Sequence, residues 1–330
     1  MVPAAALAVL FVGFVGAGLL AFFVLRMASA LNLLAHPNER SSHVESTPHI
    51  GGIAICVPVF IYLSSVVGQF QAVWALLLAS VLLALIGLID DLRDLGRGVR
   101  LICQVVACLL AMGVLFADAQ WWAWPLLLLA FLWHINLFNF MDGIDGIAGS
   151  QALFFAVAAL MLAPDMVPWV GYLLCVLAGS LVGFLVYNWP PARMFMGDVG
   201  STVLGLLLAV VGALLWQSGQ LSGFATLILL SPFWFDASYT LCVRILTGQP
   251  FTRPHRSHLY QRLADQLGHL RTTGAFWLFA LVWLLPLAYF AQQQRDGLAG
   301  VALLIAIAPL GWLARRMRAG QVLAQGNGDS

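Results

Sequence analysis

The chain has 330 residues, 62% hydrophobic and 9% charged, with a formal net charge of +1. Soluble globular proteins carry about 25% charged residues, so this composition excludes a soluble domain and equally a soluble domain on one anchor. The near-neutral sum says little about partners, and no nucleic-acid partner is expected.

Apolar stretches of spanning length fall at roughly 4–26, 51–68, 72–90, 100–117, 121–139, 148–164, 168–188, 200–217, 222–246, 274–292 and 298–314, about eleven helices at about 20 residues each. The expected fold is therefore all-α and polytopic, a single integral membrane domain over residues 1–330. No basic residue precedes the first stretch, which lacks the charged start of a secretory signal peptide and reads as a retained helix. All 15 basic residues are arginine, and all but Arg295 lie at or beside alternate connections. By the positive-inside rule those connections are cytoplasmic, with the N-terminus outside and the C-terminus inside. The lack of lysine excludes Schiff-base catalysis. Cys56, Cys103, Cys108, Cys175 and Cys242 follow no zinc or disulfide spacing and read as buried apolar fillers. Trp121 and Trp122 fit an interfacial belt.

Five polar connections lie on the arginine-bearing side, at about 30–50, 90–100, 139–149, 188–200 and 247–273. The first, LNLLAHPNERSSHVESTPHIGG, is punctuated by Pro37 and Pro48. The second carries Asp90, Asp91 and Asp94 as DDxxD at a helix end. Such acids can share a hard cation through oxygen ligands, and they oppose the helix dipole there, which disfavours a bland role. The third, NFMDGIDGIAGS, repeats Asn139, Asp142 and Asp145 at three-residue intervals, among glycines that let a ligand approach the backbone. The fourth sets Asn188 before Pro190-Pro191 and Asp198 between glycines. A helix is expected to start near Ser201, capped by Ser201 or Thr202, its free N–H groups favouring an anion. The fifth, TGQPFTRPHRSHLYQRLADQLGHLRT, holds His255 and His258 with Arg253 and Arg256, groups suited to a pyrophosphate, a lipid phosphate or anionic membrane lipids. Asp236, inside the ninth span, must pair or face a polar cavity, and Arg244 is a possible neighbour. The tail after Arg318 is expected to be mobile.

DDLRD, NFMDGIDGIAG, NWPPARMFMGDVGST and the histidine segment, in that order between spans, resemble the polyprenyl-phosphate N-acetylhexosamine-1-phosphate transferases (glycosyltransferase 4 family). The first connection, with HPNERSSH and TPHIGG, looks like the branch that initiates O-antigen or related surface polysaccharides. The resemblance implies transfer of a sugar 1-phosphate from a UDP-N-acetylhexosamine (GlcNAc, GalNAc, FucNAc or QuiNAc type) to undecaprenyl phosphate, with UMP released. It also implies Mg²⁺, or Mn²⁺, and a bacterial cytoplasmic (inner) membrane with the site on the cytoplasmic face. Carried over by position, Asp90 and Asp91 match the family's aspartate pair and Asp198 its metal-binding aspartate, giving Asp198, Asp90 and Asp91 as metal ligands. Asn139, Asp142 and Asp145 match the nucleotide-site motif, with Asn188, Arg253 and Arg256 as further substrate contacts. His255 and His258 match the histidine motif in part: many relatives have three histidines closer together, here the segment reads His-Arg-Ser-His, and Arg256 is expected to supply the missing positive charge. Relatives often dimerise, so a homodimer is an expectation. An ion-coupled transporter and a CDP-alcohol phosphotransferase are the rival classes. Midplane acids and inverted repeats would mark the first, and an Ala-Arg after the first Asp-Gly, absent from DGIDGIAGS, would mark the second.

Overall fold

In a computed structural model, residues 4–28, 34–35, 47–70, 73–250, 255–294 and 297–322 are described. Helices dominate because a backbone surrounded by lipid must satisfy its N–H and C=O groups internally. In chain order they are α1 (Ala4–Ala28), α2 (Gly52–Val66), α3 (Val73–Arg93), α4 (Arg97–Leu115), α5 (Ala123–Met141), α6 (Ile147–Leu162), α7 (Pro168–Asn188), α8 (Gly197–Gln217), α9 (Gly223–Leu246), α10 (Leu259–Leu267), α11 (His269–Phe279), α12 (Leu285–Gln293) and α13 (Gly297–Arg316). Two-residue strands β1 (Leu34–Ala35) and β2 (Thr47–Pro48) pair antiparallel between α1 and α2. A π-helical turn, Ala280–Leu284, joins α11 to α12 just ahead of Pro286, whose missing N–H breaks the regular ladder.

Among the described residues nine helical stretches are long and apolar enough to cross a membrane, α11 to α12 counting as one, and α2 and α6 are shorter apolar helices. The protein is an all-α polytopic membrane protein. α7 and α8 are the most enclosed spans and α1 the least. α1 nevertheless lies directly on α7, where Gly13, Gly179 and Gly183 bring each backbone against the other. Close approach through small residues replaces a hydrophobic drive that is absent in lipid.

Successive apolar helices reverse direction, so the C-terminal ends of α1, α3, α5, α7, α9 and α13 meet the N-terminal ends of α2, α4, α6, α8 and α11. Hydrogen bonds between connections knit this end together. Gly51 and Gly52 N–H donate to the carbonyls of Phe195 and Met196, and Phe195 N–H donates to Pro48 O. Asn188 accepts from Gly146 N–H at 3.1 Å and donates to Met194 O at 2.8 Å, tying the third connection to the fourth.

Four expectations are corrected. The fifth connection contains a helix, α10. Leu259, Tyr260, Leu263 and Ala264 form its packed apolar face, which polar neighbours in the sequence conceal. Of the tail after Arg318, residues 319–322 are docked rather than mobile, and residues 323–330 lie outside the described residues. Ala319 is buried, Gly320 N–H donates to Ser257 O, and Gln321 O accepts from Arg262. α8 starts at Gly197, so Ser201 and Thr202 lie inside it and Thr202 Oγ1 bonds back to Asp198 O. Of the five cysteines, Cys242 is exposed and Cys103 half-buried.

Candidate active site

The site begins with a helix end that needs a cap. α8 opens with free N–H groups, and the chain has no side-chain cap of its own there. Asp91, from the end of α3, supplies it from 107 residues away: Oδ1 accepts from Asp198 N–H at 3.0 Å and Oδ2 from Val199 N–H at 3.2 Å. His49 Nε2 donates to the Asp91 carbonyl at 2.7 Å, holding the same residue from the first connection. Two glycines make the approach feasible. A Cβ on Gly87 would lie 2.6 Å from the Asp198 backbone, and Gly197 has φ +72°, a conformation that favours glycine.

This cap turns the Asp198 carboxylate toward Asp90. The two carboxyl groups come within hydrogen-bonding reach of each other. One guanidinium nitrogen, Arg100 Nη1, bridges them at 2.6 Å from Asp90 Oδ2 and 3.2 Å from Asp198 Oδ2. Asp90 Oδ1 accepts from Leu95 N–H. Asn139 Nδ2 donates to Asp198 Oδ1 at 2.7 Å and to Ser201 Oγ at 3.0 Å, so α5 closes the other side.

The residues fit a magnesium-type ion. Among the described residues no three His, Cys, Asp or Glu side chains form a ready cage. Mg²⁺, however, is commonly held by one or two carboxylates, with water and substrate phosphate completing the shell. Asp90 and Asp198 already converge on one cationic atom. Asp91, expected beside them as a ligand, has both oxygens engaged at the α8 terminus.

The third connection divides its acids. Asp145 is buried and tied to the scaffold, accepting from Ala192 N–H at 2.9 Å and lying 3.1 Å from His269 Nδ1. Its carbonyl accepts from Thr273 Oγ1. Asp142, the residue after α5, has no side-chain hydrogen bond or ion pair among the described residues. Burial, then the charges of Asp198 and Asp145, push its carboxyl up to about 7. Asp142 is thus the acid of this connection left without a side-chain partner among the described residues, close enough to Asp198 for their charges to interact.

The histidine segment is docked by Asp236 rather than by a pair with Arg244. Asp236 Oδ1 accepts from Leu259 N–H at 2.8 Å and Oδ2 from Tyr260 N–H at 3.0 Å, capping α10 with a fully buried carboxylate. His258 Nδ1 lies 3.4 Å from the same carboxylate, and the His258 ring stacks on His255, with centroids 5.0 Å apart. Arg244 instead donates to Gln249 and Pro250 and reaches Ser257 Oγ at 3.5 Å. Ser257 Oγ lies 3.0 Å from His255 Nδ1. Burial, then His258, then Arg244 bring His255 down to about 4, outweighing the opposing pull of Asp236. His255 is therefore neutral at physiological pH, with its Nδ1 sharing a hydrogen bond with Ser257 Oγ. Tyr260 joins this segment to the third connection: its hydroxyl, held protonated by burial and by Asp236 and Asp142, donates to Phe140 O at 2.9 Å. Arg256 pairs with Asp265 at 3.1 Å, and Arg253 lies outside the described residues.

Asp90, Asp91, Asn139 and Asp198 thus form one cluster, with Asp142 beside it, while Asp145, Asn188 and His258 hold the surrounding connections together. In the sequence Arg100 stands only among the orienting arginines, and neither Tyr260 nor His49 stands out. An arginine ten residues after an acid pair was the available signal for the first; nothing local marked the other two.

Residues 73–215 match the model of glycosyl transferase family 4. The chain is 29% identical to the probable undecaprenyl-phosphate N-acetylglucosaminyl 1-phosphate transferase of Bacillus subtilis, covering 79% of this chain and 78% of that protein. It is 30% identical to the decaprenyl-phosphate N-acetylglucosaminephosphotransferase of Mycobacterium leprae, over 74% and 72% of the two. The undecaprenyl-phosphate alpha-N-acetylglucosaminyl 1-phosphate transferase of Thermotoga maritima is 28% identical over 78% and 81%.

Proposed function

The chain belongs to the polyprenyl-phosphate N-acetylhexosamine-1-phosphate transferases, and from that premise we propose that it moves N-acetylglucosamine 1-phosphate from UDP-GlcNAc to undecaprenyl phosphate. Three relatives whose names specify N-acetylglucosamine favour that sugar over FucNAc or QuiNAc. The product, undecaprenyl-diphosphate-GlcNAc, would start an O-antigen or another surface polysaccharide. The alternating direction of eleven apolar helices, with arginines gathered at the knitted end, supports eleven crossings. The N-terminus is then outside, the C-terminus cytoplasmic, and the site on the inner face of a bacterial cytoplasmic membrane. The clustered acids Asp90, Asp91, Asp142 and Asp198 stand at helix ends rather than mid-span, the mid-span Asp236 is engaged as the α10 cap, and no observation favours a transporter.

The observation that carries the reading is the convergence of Asp90 and Asp198, from two helices, on one cation position beside Asp142, which has no side-chain partner among the described residues. Asp90 and Asp198 would hold Mg²⁺, which when bound offsets charge on the donor diphosphate. Asp142 meets the donor's hydrogen-bond donors, and His255 Nε2–H donates to a phosphate oxygen. Asp91 keeps the α8 terminus, and so Asp198, in register. An oxygen of the lipid phosphate bonds to the β-phosphorus, the bond from that phosphorus to the bridging oxygen breaks, and UMP leaves with the electron pair. Purified protein given undecaprenyl phosphate, Mg²⁺ and a panel of UDP-sugars is expected to release UMP fastest with UDP-GlcNAc and to stop on chelation. Failure to release UMP from any donor overturns the proposal.

Asp142 gives a pH signature. Its carboxyl rises from 3.8 to about 7 in the folded protein, so the folded state holds a proton that the unfolded chain releases. Its contribution to stability is fully present below about pH 4 and is lost as pH rises through 7. Asp142→Asn mimics the protonated form. In substrate-free protein its Tm advantage over wild type is expected to grow from pH 5 to 7 and then level off. Parallel Tm profiles for the two proteins would exclude the shift.

A further inference from the structure

Arg100 has no place in the reaction as described, yet it stands where the two ligand carboxylates meet. We propose that Arg100 is a resident counter-cation that competes with the divalent ion for Asp90 and Asp198, an inference that rests on the magnesium reading above. Asp90 and Asp198 come from α3 and α8, approach within hydrogen-bonding reach, and are both contacted by Arg100 Nη1. Two carboxylates so close repel unless a cation lies between them. Asp91 cannot relieve this, because it is itself an acid engaged at the α8 terminus, and Asn139 offers only a neutral amide to Asp198.

The geometry suits exchange rather than a permanent pair. The Asp90 side chain is 8% exposed and that of Asp198 25%, while that of Arg100 is 33% exposed. The carboxylates are fixed by the scaffold, Asp90 through Leu95 N–H and Asp198 through Asn139. The guanidinium rides on a flexible stem at the start of α4, and among the described residues Nη1 bonds to these two acids. An ion entering between the acids displaces the already part-exposed guanidinium toward solvent. Arg100 is therefore a positioning residue: it preserves the spacing of the ligand pair while the ion is absent and sets the concentration at which the ion takes over.

The test measures metal binding without substrates. Mn²⁺ is titrated into purified wild-type protein, Arg100→Gln and, as a control, Arg93→Gln, with free Mn²⁺ followed by electron paramagnetic resonance. Arg100→Gln is expected to bind Mn²⁺ about five- to tenfold more tightly, the scale of a partly exposed charge-assisted contact removed from competition. Arg93→Gln should match wild type. Structural damage would weaken binding, so a gain of affinity is specific to competition. In parallel, the ion-free Arg100→Gln protein should melt below wild type and recover more on adding Mg²⁺, which keeps the test open if the variant is unstable. Equal or weaker Mn²⁺ binding by Arg100→Gln, with wild type binding normally, overturns the role of Arg100 alone. Absence of binding by wild type and variant alike overturns the metal reading and this inference with it.

Discussion

Asp198→Asn is expected to abolish UMP release, lowering kcat/KM by about 10³-fold or more, roughly 4 kcal/mol of transition-state stabilisation. The size follows from how many functions pass through this one carboxylate. Oδ2 faces Arg100 and Asp90 at the cation position, and Oδ1 accepts from Asn139 at 2.7 Å. An amide in its place presents either a neutral oxygen or an N–H to the cation, and in one of its two orientations sets N–H against the Asn139 amide. The backbone of residue 198 still donates to Asp91, so α8 keeps its cap and the fold should survive. The expected outcome is therefore a folded, inactive protein: Tm within a few degrees of wild type, Mn²⁺ affinity sharply weakened, UMP release lost. Turnover at the wild-type rate would remove Asp198 from the centre of the reaction.

The contrast between what local sequence shows and what it conceals is clearest at this same residue. Asp198 was legible because an acid between two glycines, at the start of an apolar run, has few bland explanations. Asp90 was legible as part of DDxxD at the end of an apolar run, where acids oppose the helix dipole. The start of α8 was not, because its cap comes from Asp91, which local capping rules cannot see; they pointed to Ser201 and Thr202 instead. α10 was hidden by its own composition. In RSHLYQRLADQL seven of the twelve residues are polar, while the apolar face is completed only against α9 and the C-terminal segment, and its N-terminus is capped by Asp236 inside a span. The acids of the third connection look alike in sequence. Their division, with Asp145 tied to Ala192 and His269 while Asp142 has no side-chain partner among the described residues, depends on which connections fold over them. Arg100 counted toward orientation because charge asymmetry is a property of the whole chain, whereas its contact with two acids is a property of three helix ends meeting.

Asp91 provides the sharpest separation of roles, because it neighbours Asp90 in the chain and yet performs a different task. Both of its oxygens accept backbone N–H groups at the α8 terminus, a charge placed where the helix dipole favours it. Asp91→Leu leaves two N–H groups without partners in a part-buried setting, at a cost of about 1–3 kcal/mol each. It also inserts a branched side chain beside Gly197, where a Cβ would already lie 2.6 Å from the Asp91 carboxylate. That variant is expected to lose several degrees of Tm and nearly all activity. Asp91→Asn retains one acceptor oxygen and is expected to fold with kcat down about 10- to 100-fold, the scale of a misplaced reacting group rather than a missing one. Raising Mg²⁺ distinguishes the neighbours. Asp90→Asn weakens a ligand, so excess Mg²⁺ should recover part of its rate. Asp91→Asn displaces Asp198 instead of weakening the ion's direct hold, so its kcat should stay low at saturating Mg²⁺. Recovery of Asp91→Asn by Mg²⁺ to the same extent as Asp90→Asn would make Asp91 a ligand. The α8 cap would then be a resting arrangement that the ion takes apart.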